Sequence, residues 1–179
     1  TELKGKKLGI HAFGQVGRNV ARIAKGFGME VFAFDPYCPA SVMEAEGVKP
    51  ITDINELYST CQYVSLHIPA TNETKKSINY ALLKQMPKGA MLINTARKEV
   101  INEEELVQIM DERPDFRYVS DITPDNASVF AEKFTGRYFF TPKKMGAQTA
   151  EANINAGIAA AKQSVGFLKE GIDKFKVNK

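Results

Sequence analysis

The chain has 179 residues, 44% of them hydrophobic, which suffices for one well-buried domain and excludes a second of similar size. Its 24 basic and 21 acidic residues are spread without runs, so the net charge of +3 gives no electrostatic reason to expect a nucleic-acid or membrane partner. Two distant cysteines, Cys38 and Cys61, and the lack of a long apolar segment favour a soluble cytosolic protein without a disulfide framework or a metal site.

Short β-like runs alternate along the chain with segments of helical periodicity, which is the pattern of βαβ units that feed a parallel sheet. We therefore predict an α/β, Rossmann-type fold over residues 1–179, with a doubly wound parallel sheet between two layers of helices. The predicted strands are Lys7–Phe13, Glu30–Asp35, Tyr63–Ile68, Ala90–Thr95, Arg117–Asp121 and Arg137–Thr141.

Three segments predict longer helices, namely Gly17–Gly28, Glu103–Asp111 and Ala147–Lys169. Asn102 followed by Glu105 resembles a capping box, in which the carboxylate bonds back to the cap of the second helix. Residues at helical spacing predict a single apolar face on the first helix. These residues are Val16, Val20, Ile23, Ala24 and Phe27.

A glycine-rich turn lies directly after the first predicted strand and opens the first helix. It reads as GxGxxG with Ala12 in place of the first glycine, followed by Gly14 and Gly17. Small residues at these positions let the backbone approach a pyrophosphate, whose charge then lies against free N–H groups at the helix N-terminus. The pattern alone is also typical of a plain tight turn, so its position after a strand is what favours a dinucleotide site.

Asp35 ends the second predicted strand, where such folds place the carboxylate that accepts hydrogen bonds from the adenosine ribose. The same residue before Pro36 is typical of an Asx turn, which is compatible with ribose binding. Because a carboxylate repels a 2′-phosphate, we expect the cofactor to be NAD and not NADP.

Three later segments, Val64–Thr71, Leu92–Arg97 and Thr141–Thr149, follow the glycine-rich turn in order. Together they resemble the D-2-hydroxyacid dehydrogenase family, and most closely its phosphoglycerate dehydrogenases. The resemblance implies that Gln15 and Val16 present backbone to the pyrophosphate and that the turn from His67 to Pro69 covers the adenosine side.

The resemblance also implies that Thr95 and Asp121 lie near the nicotinamide carboxamide. Arg97 matches the catalytic arginine of the family, which binds the substrate carboxylate and polarises its carbonyl. A guanidinium suits this task because its fixed fork of donors holds a planar carboxylate at two points. The remaining histidine, His11, is expected to serve the cofactor-binding framework.

Two departures from the family concern the acid/base machinery. The family carries a histidine after Thr-Pro, and this chain has a lysine there. Counting forward from Thr141 places Lys143 at the histidine position, whereas counting back from the Gly146–Thr149 motif places Lys144 there. A lysine at this position can give a proton to the alkoxide as the hydride arrives. Two lysines at the start of the predicted last helix would oppose the helix dipole, which disfavours a merely structural role for them. Where the family carries a glutamate, either Asp125 or Asn126 stands.

The resemblance implies NAD-dependent oxidation of a small 2-hydroxy acid, with 3-phospho-D-glycerate, a precursor of serine, as the expected substrate. Glycerate, glyoxylate, lactate and formate dehydrogenases remain alternatives, as does a non-enzymatic NAD(H)-responsive module of the same fold. A substrate domain precedes this domain in the family, so we expect the isolated chain to have little turnover. We also expect a homodimer formed through this domain.

Overall fold

The computed structural model describes residues 2–174, which form two units, residues 2–144 and residues 145–174. The chain composition gives no sign of a linker at this boundary. The first unit contains one sheet. Its strands are β1 (Lys7–His11), β2 (Glu30–Phe34), β3 (Lys49–Pro50), β4 (Tyr63–Leu66), β5 (Met91–Asn94), β6 (Arg117–Ser120) and β7 (Tyr138–Phe140).

All seven strands are parallel and run in the order β3-β2-β1-β4-β5-β6-β7. This is the order of doubly wound dinucleotide-binding folds, extended by one strand, with the topological switch point between β1 and β4. The predicted α/β fold is confirmed, and each predicted strand is present but ends one or two residues earlier than expected. The residues that follow the strand ends are therefore free to form loops at one edge of the sheet.

Helices connect the strands of the first unit and cover both faces of the sheet. They are α1 (Gln15–Gly26), α2 (Ala40–Ala45), α3 (Ile54–Thr60), α4 (Tyr80–Leu83), α5 (Glu103–Glu112) and α6 (Ala127–Lys133), with a 3-10 turn at Lys98–Val100. Two buried apolar clusters lie in this unit, and Leu8 and Ile10 of β1 belong to one of them. Gly9, between them, faces the second cluster, because a Cβ at this position would meet Leu57 and Cys61 of that cluster at 3.1–3.2 Å. Successive strand residues thus face opposite layers.

The predicted apolar residues of α1 and its C-terminal cap share one side of the helix, but the described fold buries only part of that side. The small residues Ala21 and Ala24 are buried, which lets the helix lie close to its neighbours. Val16, Ile23 and Phe27 are 60%, 57% and 59% exposed. Their spacing places them along one stripe of the helix that the described fold leaves uncovered.

The first turn of α5 caps two other helices. The side chain of Asn102 accepts the N–H of Glu105 at 3.5 Å, as the capping box predicts. The return bond is absent, because the backbone N–H of Asn102 donates to the carbonyl of Ile78. The Glu105 carboxylate instead accepts the N–H of Tyr80 in α4 at 2.6 Å, and Glu103 accepts the two N–H groups before α6 at 3.1 and 3.0 Å.

The second unit contains one long helix, α7 (Ala150–Glu170). Thr149 caps its N-terminus by accepting the N–H of Ala152 at 3.0 Å, and Gly171 ends it at a φ of 68°. The helix begins three residues later than predicted, so Lys143 and Lys144 lie outside its first turn and the argument from the helix dipole does not apply to them. Within residues 2–174, no helix is long and apolar enough to cross a membrane.

Candidate functional site

Two cavities of about 560 and 480 Å³ lie in the first unit, where the carboxyl ends of its strands meet. They share the segment from His67 to Pro69, which directly follows β4 and separates one cavity from the other. Both lie at the topological switch point of the sheet, where open α/β folds bind their ligands. We call them the Asp35 cavity and the Arg97 cavity, after a charged residue that lines each of them.

The turn between β1 and α1 is shaped to admit an anion. Ala12 adopts a φ of 80°, and a Cβ on Gly17 would meet the carbonyl oxygen of Ala12 at 2.4 Å. The position of Gly14 is open, with no atom within 4 Å of where its Cβ would be. No described side chain caps the N-terminus of α1, whose first two residues, Gln15 and Val16, are exposed. The free N–H groups of this turn therefore fit a pyrophosphate.

Asp35 follows β2 at the rim of the Asp35 cavity. One carboxylate oxygen accepts the N–H of Phe13 at 2.8 Å and the other accepts the N–H of Tyr37 at 2.8 Å. These bonds hold the carboxylate beside the glycine-rich turn and leave lone pairs for ribose hydroxyls. Among the described residues that line this cavity there is no lysine or arginine, so nothing there would neutralise a 2′-phosphate.

Both histidines line the Asp35 cavity and both are held neutral. Burial lowers the pKa of His11 to about 4, and burial together with the charge of Lys144 lowers the pKa of His67 to about 4. His11 lies 3.3 Å from the hydroxyl of Tyr58, and His67 lies 3.0 Å from the hydroxyl of Ser65. Ser65 was not singled out from the sequence, although a buried polar residue in an apolar strand is a signal of such a partner.

The lysine that faces the Arg97 cavity is Lys144. Its ammonium contacts the carboxylate of Asp121 at 3.1 Å, the carbonyl oxygen of Ala96 at 3.2 Å and the carbonyl oxygen of Thr95. Lys143 is exposed and does not line this cavity. Of the two registers open at the sequence level, the geometry therefore favours the one that counts back from the motif after the lysines.

Arg97 lines the same cavity, together with Thr95 and Val16. Its side chain is exposed, and its guanidinium donates one hydrogen bond to the carbonyl oxygen of Ala96 at 2.8 Å. The other N–H donors of the guanidinium remain available to a ligand. A planar carboxylate entering this cavity would therefore meet both a guanidinium, from the turn after β5, and an ammonium, from the segment after β7.

Asp121 carries an unsatisfied atom at this site. One of its carboxylate oxygens pairs with Lys144, whereas the other is buried and has no hydrogen-bond partner among the described residues. A buried acceptor without a partner costs free energy, which a ligand amide recovers when it donates to it. The position fits the carboxamide of a bound nicotinamide, which is the role that the family resemblance implies for Asp121.

The structure does not bring Asp125 to this group. Its carboxylate pairs with Lys98 at 2.6 Å on the surface, in a separate cavity that Asn126 and Glu103 also line. The backbone N–H groups of Asp125 and Asn126 are held by Glu103, which turns the loop after β6 away from the Arg97 cavity. No described carboxylate other than Asp121 contacts Lys144.

Comparisons with known proteins agree with this geometry. Residues 1–138 match the family model described as D-isomer specific 2-hydroxyacid dehydrogenase, NAD binding domain. The chain is 38% identical to D-3-phosphoglycerate dehydrogenase 2 of Arabidopsis thaliana chloroplasts, over 98% of its own length and 28% of the relative, and 34% identical to D-3-phosphoglycerate dehydrogenase of Methanocaldococcus jannaschii, over 99% and 34%.

Among solved structures, the NAD+-bound 3-phosphoglycerate dehydrogenase of Entamoeba histolytica superposes with a TM-score of 0.88 and 47% identity, over 100% of this chain and 57% of that one. The apo D-lactate dehydrogenase of Escherichia coli superposes with a TM-score of 0.78 and 28% identity, over 94% and 53%. The chain thus spans about half of these solved chains, and about a third of the curated relatives named above.

Proposed function

Because this chain belongs to the D-isomer specific 2-hydroxyacid dehydrogenase family and is its NAD-binding domain, we propose that it is the cofactor-binding part of an enzyme that oxidises a 2-hydroxy acid. The observation that carries the proposal is the pairing of Arg97 and Lys144 in one cavity at the strand ends. The names of the relatives support 3-phospho-D-glycerate as the substrate and 3-phosphohydroxypyruvate as the product.

The residues of the Arg97 cavity divide the chemistry between them. Bound NAD+ would supply the acceptor for the hydride that leaves C2 of the substrate. Arg97 binds the substrate carboxylate through two parallel N–H bonds and polarises the reacting oxygen. Lys144, as the free amine, takes the hydroxyl proton while the C2–H bond breaks, and as the ammonium returns it when a 2-oxo acid is reduced. Asp121 holds Lys144 in place at 3.1 Å.

The test replaces each lysine by methionine in the full-length protein. Lys144→Met should lower kcat about 10²–10⁴-fold with NAD affinity retained, because a positioned proton carrier is lost. Lys143→Met is the matched control, since it removes the same charge one residue away, and it should keep kcat near that of the unmodified protein. Normal kcat in both variants across the pH range would refute the assignment. Absence of NAD-dependent turnover with every 2-hydroxy acid would refute the function itself.

The substrate half of the site is proposed to come from residues outside this chain. The chain spans 57% of the NAD+-bound relative, and the Arg97 cavity, lined by exposed residues such as Thr95 and Arg97, is open to solvent. Positioning substrate, cofactor and acid together supplies about 7–11 kcal/mol of barrier reduction, which one half of a site cannot provide. The isolated chain should bind NAD yet show only background oxidation of 3-phospho-D-glycerate, and rapid turnover by these residues alone would contradict the proposal.

We further propose that the protein is a homodimer that pairs the exposed stripe of α1 with its copy. Ile23 and Phe27 lie four residues apart on this stripe and are each more than half exposed, whereas Val16 lines the Arg97 cavity and lies outside the proposed interface. Exposed apolar residues on one face of a helix are typical of an interface, and a twofold axis lets one such face pair with its copy. Light scattering should give a dimer that Phe27→Asp splits. Phe139→Asp, equally exposed at 62% on the edge strand β7, is the control that should leave the mass unchanged.

A further inference from the structure

A single buried side-chain amide, that of Asn94, holds the turn after β5, which carries Arg97 and whose carbonyl oxygens contact Lys144. Asn94 is the last residue of β5 and is 1% exposed. The side-chain oxygen of Asn94, Oδ1, accepts the N–H of Ala96 at 3.0 Å. Its side-chain nitrogen, Nδ2, donates to the carbonyl oxygen of Arg97 at 3.0 Å and lies 3.4 Å from the hydroxyl of Tyr118. The side chain therefore bonds the backbone of two successive residues of the turn, Ala96 and Arg97.

The carbonyl groups of this turn are what position Lys144 and Arg97. The Lys144 ammonium contacts the carbonyl oxygens of Thr95 and Ala96, and the Arg97 guanidinium donates to the carbonyl of Ala96. Fixing such a turn takes one hydrogen-bond acceptor and one hydrogen-bond donor on the same side chain. Among side chains as short as asparagine, only the amide offers both on separate atoms. Moving the turn would move both cations together.

We infer that Asn94 is a positioning residue, which sets the substrate clamp through Arg97 and the proton carrier through Lys144. The inference rests on the proposed function, and it assigns to Asn94 no contact with substrate or cofactor. A displacement of the turn by about 1 Å is enough to cost about 10²-fold in rate. Two effects should follow: a higher KM from the displaced guanidinium, and a lower kcat to which the displaced ammonium and the weaker polarisation by the guanidinium both contribute.

The experiment is Asn94→Ser in the full-length protein, with thermal unfolding and NAD affinity as checks on the fold. It should lower kcat/KM for 3-phospho-D-glycerate about 10–100-fold while the Kd for NAD stays within about twofold. Asn79→Ser is the matched control: Asn79 accepts the N–H of Leu82 at the start of α4, and serine replaces it as an equally good cap. The control should keep normal kinetics.

A double-mutant cycle separates positioning from general destabilisation. Combined with Lys144→Met, the Asn94→Ser change should lower kcat less than it does in the otherwise unmodified protein, because the loss through Lys144 has already occurred, and it should still raise KM through the displaced Arg97. A full further loss of kcat on that background, or unchanged kcat/KM in the single variant, would overturn the inference. If Asn94→Ser does not fold, Asn94→Asp takes its place, since it is isosteric, keeps the acceptor arm and lacks the donor arm.

Failure of the inference is distinguishable from failure of the proposed function. If the unmodified protein oxidises no 2-hydroxy acid, the function fails, and the role of Asn94 is then tested by crystal structures of the chain. Arg97 and Lys144 should be displaced in Asn94→Ser relative to the unmodified protein. Unmoved cations in that crystal structure would overturn the inference without reference to activity.

Discussion

Ala12 has a left-handed backbone that an L-residue other than glycine adopts at a cost. Its φ is 80°, and it occupies the first small-residue position of the dinucleotide turn. The left-handed conformation costs about 1–2 kcal/mol for alanine, whereas glycine loses about 0.5–1 kcal/mol more chain entropy on folding. We expect Ala12→Gly to raise the free energy of unfolding by up to about 1 kcal/mol, measured by urea denaturation.

The control for this change is Ala21→Gly in α1. Ala21 is buried at 1% exposure in a helix, so the same substitution should lower stability by about 1 kcal/mol through chain entropy and the lost methyl group. A clear loss of stability in Ala12→Gly would mean that the strain at this turn is smaller than its φ indicates.

Asp35 should decide the choice of cofactor. Its carboxylate receives two backbone N–H groups, and its cavity has no basic residue among the described lining residues. We expect NAD to bind at least about tenfold more tightly than NADP, a difference of about 1.4 kcal/mol, and Asp35→Asn to narrow that ratio because the repelling charge is gone. Calorimetry that gives equal affinities for the unmodified protein would contradict this role.

At this scale the sequence predicted the residue types of the site better than their register. Lys143 and Lys144 are adjacent in a segment without periodicity, so only the contact of Lys144 with Asp121 distinguishes them. Asp125 was a candidate because it lies near the expected glutamate position, but its partners Lys98 and Glu103 come from the segment after Arg97. Pairings between segments this far apart have no local signature in one sequence.

At the scale of elements, the longer strands were predictable because buried parallel strands read as short apolar runs between turn residues. β3 was missed: it has two residues, Lys49 and Pro50, and pairs with β2 at the edge of the sheet, where a proline is tolerated. The Asn102 cap was predictable from local spacing. The partner of Glu105 was not, because Tyr80 belongs to another helix.

The bond from Glu105 to the start of α4 should be worth a measurable amount of stability. The Glu105 carboxylate is half-buried and accepts the N–H of Tyr80 at 2.6 Å. A hydrogen bond to a charged group contributes about 1.5–3 kcal/mol, so Glu105→Ala should lower the free energy of unfolding by roughly that amount.

The neighbouring Glu104 provides the control for that change. It is exposed and pairs with Lys76 only at 3.7 Å, so Glu104→Ala should change stability by less than about 0.5 kcal/mol. Equal losses in the two variants, measured by chemical denaturation, would show that the interaction of acidic side chains with the helix dipole in the first turn of α5 matters more than the bond to α4.

For the molecule as a whole, the two buried histidines predict a loss of stability in mild acid. Each has a folded-state pKa of about 4 against 6.5 for the free side chain, so below pH 6.5 the unfolded chain binds protons that the native fold does not. Their contribution is fully present above pH 6.5 and is lost as the pH falls toward 4. Between these limits each histidine should cost about 1.4 kcal/mol per pH unit.

The histidine prediction is tested by His11→Gln, which removes one titrating group. The pH dependence of the unfolding free energy between pH 6 and 4.5 should become shallower by about one proton relative to the unmodified protein. Because glutamine also loses the contact with Tyr58, the variant will be less stable at neutral pH, so the slope is the quantity to compare and not the midpoint. An unchanged slope would mean that His11 titrates normally in the folded protein.

The position of both cavities at the switch point also makes the cofactor part of the folding equilibrium. The residues that line the cavities come from separate segments between Ala12 and Lys144. These segments follow the ends of strands that pair only in the complete sheet, so neither cavity exists until the sheet has formed. A ligand that binds only that assembled state stabilises it by about 2.7 kcal/mol at one hundred times its Kd. NAD would thus act as a reversible cross-link between the two halves of the sheet, and the melting temperature would rise with its concentration.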